Sequence, residues 1–515
     1  MATLVQSLPV QGKESLFFQL GFAQQQALPI EHLEHAFSNF VRLQPERIAI
    51  RHLNQSISYR DLDEKATRLA VYLQQQGVSA GERVGVFLHR GIPMVIAMLA
   101  CFKLGATYVP QHAKVAPLSQ LDYVIKTSGI RWVVTIDEYM DKLAELDVNR
   151  LNLSEFNYQT LVGEVLVKPL VHGGDTAFIL FTSGTTGDPN GVAVSHKNVA
   201  NIILLAPGNL AIKPGVKVSQ ILSIAFDMAA WEIWGCLCNG GELIIRGASI
   251  QEACEQANVI IATPSILSSL NTSKLTQVKR AIVAGEPCPR SLAERWHSFC
   301  DFYNSCGPTE TTIVNTVAKF DPKKPLSIGK PTPNNTVYIL DDELSPLPIG
   351  EVGIMWAGGD CVTQGYINNP ELNAFRYRDD PYHPGKKMFR TGDLGRWNEY
   401  GELEHLGRVD DQVKVKGFRI ELDAVAKQIE SLNGVKRAVV IKYNSQHMVG
   451  FYLGEQQQAN TIKCVIETKL PYYCVPTVTV QLEAFPYTNR GKIDKRALLA
   501  FAKEHYSKKL EVEHE

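Results

Sequence analysis

Phe178-Ile179-Leu180-Phe181-Thr182-Ser183-Gly184-Thr185-Thr186-Gly187-Asp188-Pro189-Asn190-Gly191 reads as an apolar strand running straight into a loop of hydroxyls and glycines. Glycine lets the backbone approach a ligand and adopt positive φ, so that successive N–H groups point at an anion. The Thr and Ser hydroxyls add neutral donors. The physics is that of a phosphate-binding loop, although the spacing is neither GxxxxGK[ST] nor GxGxxG.

Short apolar strands and helices alternate on either side of this loop. Arg83–Leu88 is expected as a strand, Ile92–Leu104 as a helix and Ile130–Ile136 as a strand, and the alternation persists to about Asp301. That pattern predicts parallel, doubly wound α/β architecture in two subdomains. From about residue 328 to 409 the texture changes to strands separated by Gly, Pro and Asp turns, which predicts a β-rich subdomain. Beyond 410 a smaller α+β unit is expected, with helices over Asp423–Leu432 and Ile462–Leu470 and a strand over Val435–Tyr443. The expected organisation is thus a large N-terminal domain, 1–409, and a small C-terminal domain, 410–515.

With 515 residues the chain exceeds the usual size of a single core. A formal net charge of -1 and the lack of any long Lys/Arg block argue against a nucleic-acid partner. The N-terminus lacks the basic start and apolar core of a secretory signal. Met94–Phe102 is strongly apolar but far shorter than the roughly 20 residues of a membrane span, so a buried helix is expected there. The 10 cysteines form no CxxC pair and are expected as reduced thiols. A cytoplasmic monomer without membrane insertion follows as the expectation.

Further motifs stand in order along the chain. They are Asn304-Ser305-Cys306-Gly307-Pro308-Thr309-Glu310-Thr311, Phe389-Arg390-Thr391-Gly392-Asp393-Leu394, Gly407-Arg408-Val409-Asp410-Asp411-Gln412-Val413-Lys414 and Asn489-Arg490-Gly491-Lys492-Ile493-Asp494. Together with the hydroxyl-rich loop this set resembles the adenylate-forming superfamily, which includes acyl-CoA ligases, luciferases and the amino-acid adenylation domains of peptide synthetases. The resemblance covers about residues 30 to 500.

The resemblance implies ATP and Mg²⁺ as cofactors and assigns parts. Thr182, Ser183, Gly184, Thr185, Thr186 and Gly187 hold the β,γ-phosphates, Thr309 bonds the α-phosphate, and Glu310 ligates Mg²⁺. Asp393 accepts the ribose hydroxyls with Arg408 beside it, while Gly285, Asn304, Ser305 and Cys306 line the nucleotide site. Lys492 bridges the substrate carboxylate and the α-phosphate as a point charge. Asp410 is the hinge, and backbone near Gly417 faces the thiol tunnel.

Asp227, within Phe226-Asp227-Met228-Ala229-Ala230-Trp231-Glu232, sits where amino-acid adenylation domains pair an aspartate with the substrate's α-ammonium. A buried carboxylate is costly unless a cation meets it. The other pocket positions implied are Met228, Trp231, Ala262, Ile282, Ala284, Ser305, Ile313 and Val314. No charged residue stands among them, and Met228 and Trp231 are bulky, which favours glycine or alanine.

The chain departs from the family at three places. Asn190 replaces a lysine near the pyrophosphate, where a charge-assisted hydrogen bond is worth roughly 1.5–3 kcal/mol. Cys306 replaces an aromatic residue, and Pro110–Pro117 lacks its usual Asp and Arg. An acyl- or aryl-CoA ligase and a catalytically weak nucleotide-binding homologue therefore remain as alternatives. No phosphopantetheine-attachment serine in a Gly-Gly-x-Ser context is found, so the chain is expected either as a stand-alone ligase charging a separate carrier protein, resembling those that load D-alanine or glycine in cell-envelope modification, or as a domain excised from a larger synthetase, the stand-alone form being favoured.

Overall fold

The computed structural model describes residues 19–161, 163–183, 188–409, 412–487 and 493–511. The chain divides into two compact units. One comprises 1–114, 125–181 and 191–409; the other comprises 115–124, 182–190 and 410–515.

Three sheets build the first unit. A six-stranded sheet runs Asn149–Asn152, Trp132–Thr135, Arg83–Phe87, Thr107–Gln111, Thr176–Thr182, Asn190–Ser195. From Asn149–Asn152 to Thr176–Thr182 its neighbouring strands all run parallel. The Ile92–Lys103 helix beside it is buried at every residue except Pro93, as its unbroken apolar run requires. Among the described residues no helix is long and apolar enough to cross a membrane.

A nine-stranded sheet forms the second layer system, with Asp301–Cys306, Arg280–Val283, Val259–Ala262, Lys217–Gln220, Glu242–Ile245 and Ile48–His52 side by side and parallel. Antiparallel strands close both edges. The chain leaves Lys217–Gln220 for Glu242–Ile245 on one flank and returns to Val259–Ala262 on the other. This reversal is a topological switch point, and in open α/β sheets the carboxyl ends of strands at such a point leave a crevice.

The third sheet is antiparallel: Asn335–Leu340, Gly353–Gly359, Lys387–Trp397 and Tyr377–Asp379, with Leu403–Arg408 also paired to Lys387–Trp397. It corresponds to the β-rich texture expected from residue 328 onward.

In the second unit, Gln412–Val415 and Phe418–Glu421 form a hairpin, and Val435–Lys442, Met448–Gly454 and Val478–Leu482 form a three-stranded sheet. Lys416 and Gly417 both have positive φ, the conformation a two-residue hairpin turn demands. Helices Leu422–Glu430, Ala459–Lys469 and Lys495–Glu511 accompany that sheet, and the unit has its own apolar core around Val425, Ile429 and Ile466.

Candidate functional site

The switch point in the nine-stranded sheet gathers several of the implied amino-acid and nucleotide positions. Parallel register sets Ala262 beside Val283 and Val283 beside Asn304, so Ala262, Ala284, Gly285, Asn304, Ser305 and Cys306 stand along one carboxyl edge. Gly285 has φ +90, and a Cβ there would lie 3.6 Å from Thr263 Cγ2 and 3.8 Å from Met228 Sδ. Met228, Thr263 and Gly285 therefore face one small space.

Asp227 is the first residue of helix Asp227–Leu237 and is half-buried. The N-cap residue Phe226 supplies no side-chain cap, and a carboxylate in this first turn suits the positive end of the helix dipole. The connection that delivers Asp227 is tethered from two sides. Glu232, fully buried one turn along the helix, accepts from Ile221 N at 2.8 Å, Leu222 N at 3.2 Å and Gln220 Nε2 at 3.1 Å. Arg90 Nε donates to the Leu222 carbonyl at 2.9 Å. Burial pushes the Glu232 carboxyl up to about 8, against the opposing pull of those amide donors and of Arg90.

Trp231 is fully buried, and its indole N–H donates to the Gly208 carbonyl at 2.8 Å. Ile282, Ile313 and Val314 are likewise buried. Ser305 spends its hydroxyl proton on the Val283 carbonyl at 2.7 Å, and Asn304 Nδ2 donates to Ser327 O at 2.7 Å. Cys306 is half-buried and packs against the apolar cluster around Ile328 and Trp397.

After Asp301–Cys306 the chain makes a single turn, Thr309–Thr311, that carries Glu310 into a fully buried position. Tyr366 donates its hydroxyl to Glu310 Oε1 at 2.6 Å. Asn373 holds Tyr366 in place through both backbone groups, accepting from Tyr366 N at 2.8 Å and donating to Tyr366 O at 2.7 Å. Thr312 and Ile313 follow with φ of 54° and 70°, left-handed backbone that β-branched residues rarely adopt. Two further bonds pin this stretch: Thr312 Oγ1 to the Cys361 carbonyl at 2.7 Å, and Thr363 N to the Glu310 carbonyl at 3.1 Å.

On the third sheet Asp393 and Arg408 are directly opposite one another across the ladder. Arg408 Nη1 donates to Asp393 Oδ1 at 2.7 Å, and His405 Nε2 lies 3.3 Å from the same oxygen. Thr391 fixes the approach by accepting from Asp393 N at 3.0 Å while donating to the Met355 carbonyl at 2.7 Å. The carboxylate is thus buried, oriented and accompanied by the Arg408 guanidinium and the His405 ring.

Thr182 and Ser183 lie in the second unit, where Thr182 Oγ1 approaches the Asn190 carbonyl at 3.4 Å and Ser183 Oγ donates to the Arg419 carbonyl at 3.1 Å. Gly417 occupies the hairpin turn. Gly184, Thr185, Thr186, Gly187, Asp410 and Lys492 lie outside the described residues.

Sequence reasoning missed Tyr366, Glu232, Arg90 and His405. Tyr366 is 56 residues from Glu310 along the chain and carries no local signal. His405 had one: Leu403–Arg408 alternates as a strand, and strand register determines what faces Asp393.

A protein-family model described as "AMP-binding enzyme" matches residues 37–367. Among curated relatives, adenylate-forming reductase 06235 of Coprinopsis cinerea is 41% identical over 453 residues, covering 87% of this chain and 44% of the relative. Bacitracin synthase 3 of Bacillus licheniformis is 32% identical over 463 residues, 87% of this chain and 7% of the synthase. The chain therefore spans less than half the length of either relative. Among solved structures, holo-PA1221, a nonribosomal peptide synthetase protein containing adenylation and carrier domains, aligns with a TM-score of 0.84 at 24% identity, covering 95% of this chain and 86% of that one.

Proposed function

The chain belongs to the AMP-binding enzyme family and has adenylation-domain relatives in nonribosomal peptide synthetases; from that premise we propose that it activates a small α-amino acid, glycine or alanine, as its adenylate. The acyl group then passes to the phosphopantetheine thiol of a carrier protein.

The observation that carries this reading is the start of helix Asp227–Leu237. Asp227 opens the helix, and Met228 Sδ comes within 3.8 Å of the Cβ position of Gly285 on the carboxyl edge of the sheet. A half-buried carboxylate there offers a counter-charge to a substrate ammonium, and the space ahead of it is closed by a thioether. An acyl- or aryl-CoA ligase has no use for that charge.

In the first half-reaction a substrate carboxylate oxygen bonds to the α-phosphorus, the bond to the bridging oxygen breaks, and pyrophosphate leaves. Thr309 donates to the α-phosphate. Asp393, oriented by Thr391 and Arg408, accepts the ribose hydroxyls. Thr182, Ser183, Gly184, Thr185, Thr186 and Gly187 bind the β,γ-phosphates, and Lys492 carries positive charge to the reacting oxygens. Glu310 offers hard oxygen donors that suit Mg²⁺, which when bound neutralises phosphate charge. In the second half-reaction the thiolate attacks the acyl carbonyl and AMP leaves, with Asp410 as hinge and Gly417 beside the thiol path.

ATP–pyrophosphate exchange with each amino acid in turn tests the proposal. Exchange driven by glycine or alanine supports it. A preference for aromatic or charged substrates overturns the pocket reading, and exchange driven by carboxylic acids without an amine overturns the amino-acid assignment.

A further inference from the structure

Helix Leu33–Leu43 begins with three potential metal ligands that the adenylation chemistry does not use. His32 is its N-cap residue, and Glu34 and His35 lie in its first turn. One ligand atom from each lies within 4.8 Å of the others. His32 is only 3% exposed, yet both of its ring nitrogens are buried without a hydrogen-bond partner. An imidazole that merely filled space would leave two polar atoms desolvated and unpaired.

We propose that His32, Glu34 and His35 form a site for one divalent first-row transition ion of the zinc type, with solvent as the fourth ligand. Two imidazoles and a carboxylate are a donor set suited to such an ion. Coordination would satisfy one of the two orphaned nitrogens of His32.

The surroundings orient the carboxylate. Ser38 Oγ donates to Glu34 Oε1 at 2.7 Å, and Lys103 Nζ lies 3.5 Å from that same oxygen. The other oxygen, Oε2, faces His35 Nε2 at 3.8 Å. Lys103 does not impose an uncompensated positive charge, because Asp63 Oδ1 meets it at 2.6 Å. Outer contacts of this kind are what hold a ligating carboxylate in register.

His196 backs the site. Its ring stacks on His32 with centroids 3.7 Å apart, and its Nδ1 accepts from Leu33 N at 3.4 Å, which occupies that lone pair. His196 is therefore a support rather than a ligand through Nδ1. The His35 side chain is 56% exposed, which gives the ion an entry path and leaves that ring free to close on it.

The test uses the untagged full chain, with the exposed Cys464 replaced by Ser in every arm so that its sulfur contributes no ligand. Chelator-treated protein is titrated with Zn²⁺ and with Co²⁺. Binding of one equivalent, with a Co²⁺ ligand-field absorption in the visible, is expected. His35→Ala, at an exposed position, and Glu34→Gln should each weaken Zn²⁺ by more than about tenfold, beyond the low end of the 10–100-fold that loss of an outer contact costs. Glu310→Gln should leave Zn²⁺ binding unchanged, which separates this site from the nucleotide-associated Mg²⁺. Failure to bind, or Zn²⁺ binding that survives both His35→Ala and Glu34→Gln, overturns the proposal.

Discussion

The Tyr366 hydroxyl donates to Glu310 Oε1 at 2.6 Å, joining a fully buried carboxylate to a side chain from a different sheet connection. Tyr366→Phe removes that donor while keeping the ring against Tyr377. A hydrogen bond to a charged group is worth roughly 1.5–3 kcal/mol, about ten- to hundredfold in rate. Pyrophosphate exchange should fall by that range, and half-maximal activity should need more Mg²⁺. An unchanged Mg²⁺ titration would mean that the tyrosine does not tune the carboxylate.

Asp393→Ala should raise KM for ATP by roughly ten- to hundredfold, the cost of losing charge-assisted hydrogen bonds. The sharper readout is selectivity. The parent enzyme should prefer ATP to 2′-deoxy-ATP, and the variant should treat the two alike. Retained discrimination would remove Asp393 from the ribose.

Asp227→Ala should lower kcat/KM for the amino acid at least about tenfold while KM for ATP stays within about twofold, because the carboxylate is proposed to meet the substrate ammonium and not the nucleotide. Equal loss for both substrates would point to collapse of the helix start instead.

Glu232 makes a pH prediction. Its carboxyl is raised from 4.5 to about 8 by burial, so the folded state binds a proton more tightly than the unfolded state. The stability this contributes is complete below about pH 4.5 and is lost as pH rises through about 8. Between those limits the parent should lose stability relative to Glu232→Gln, with a slope of at most about 1.4 kcal/mol per pH unit. Denaturant titrations at pH 5, 6, 7 and 8 check it; parallel curves would show that the proton is not taken up on folding.

Lys492→Ala should abolish adenylate formation and spare transfer from a supplied aminoacyl adenylate, measured as two separate half-reactions. Equal loss in both would reject its assignment to the first.

Local pattern carried the secondary structure. The strand expected over Arg83–Leu88 is Arg83–Phe87, and the helix expected over Ile92–Leu104 is Ile92–Lys103. Both follow from apolar spacing, which depends only on neighbours in the chain. The one strand and two helices expected in the smaller unit lie within a few residues of those observed for the same reason, Val435–Tyr443 becoming Val435–Lys442. Strand order was not legible, because nothing near Lys217–Gln220 says that Val259–Ala262 will return to its other flank. Side-chain partnerships were hidden likewise. Motif order pointed to Glu310, Asp393 and Arg408, but the tyrosine on Glu310 and the amide donors on Glu232 are products of tertiary packing. Trp231 shows the limit of resemblance most plainly: its number came from a motif, whereas its indole N–H on Gly208 could be seen only in the fold.

The left-handed pair Thr312–Ile313 has an evolutionary corollary. Such conformations cost of order 1–3 kcal/mol each. Glycine, the residue that would relax them, forfeits the Thr312 clamp on Cys361 at one position and a buried aliphatic side chain at the other. Drift at either position is thus penalised in both directions. Met228, unbranched and compliant, carries no such penalty. In the amino-acid pocket proposed above, new specificities are expected to arise through Met228 rather than through Ile313.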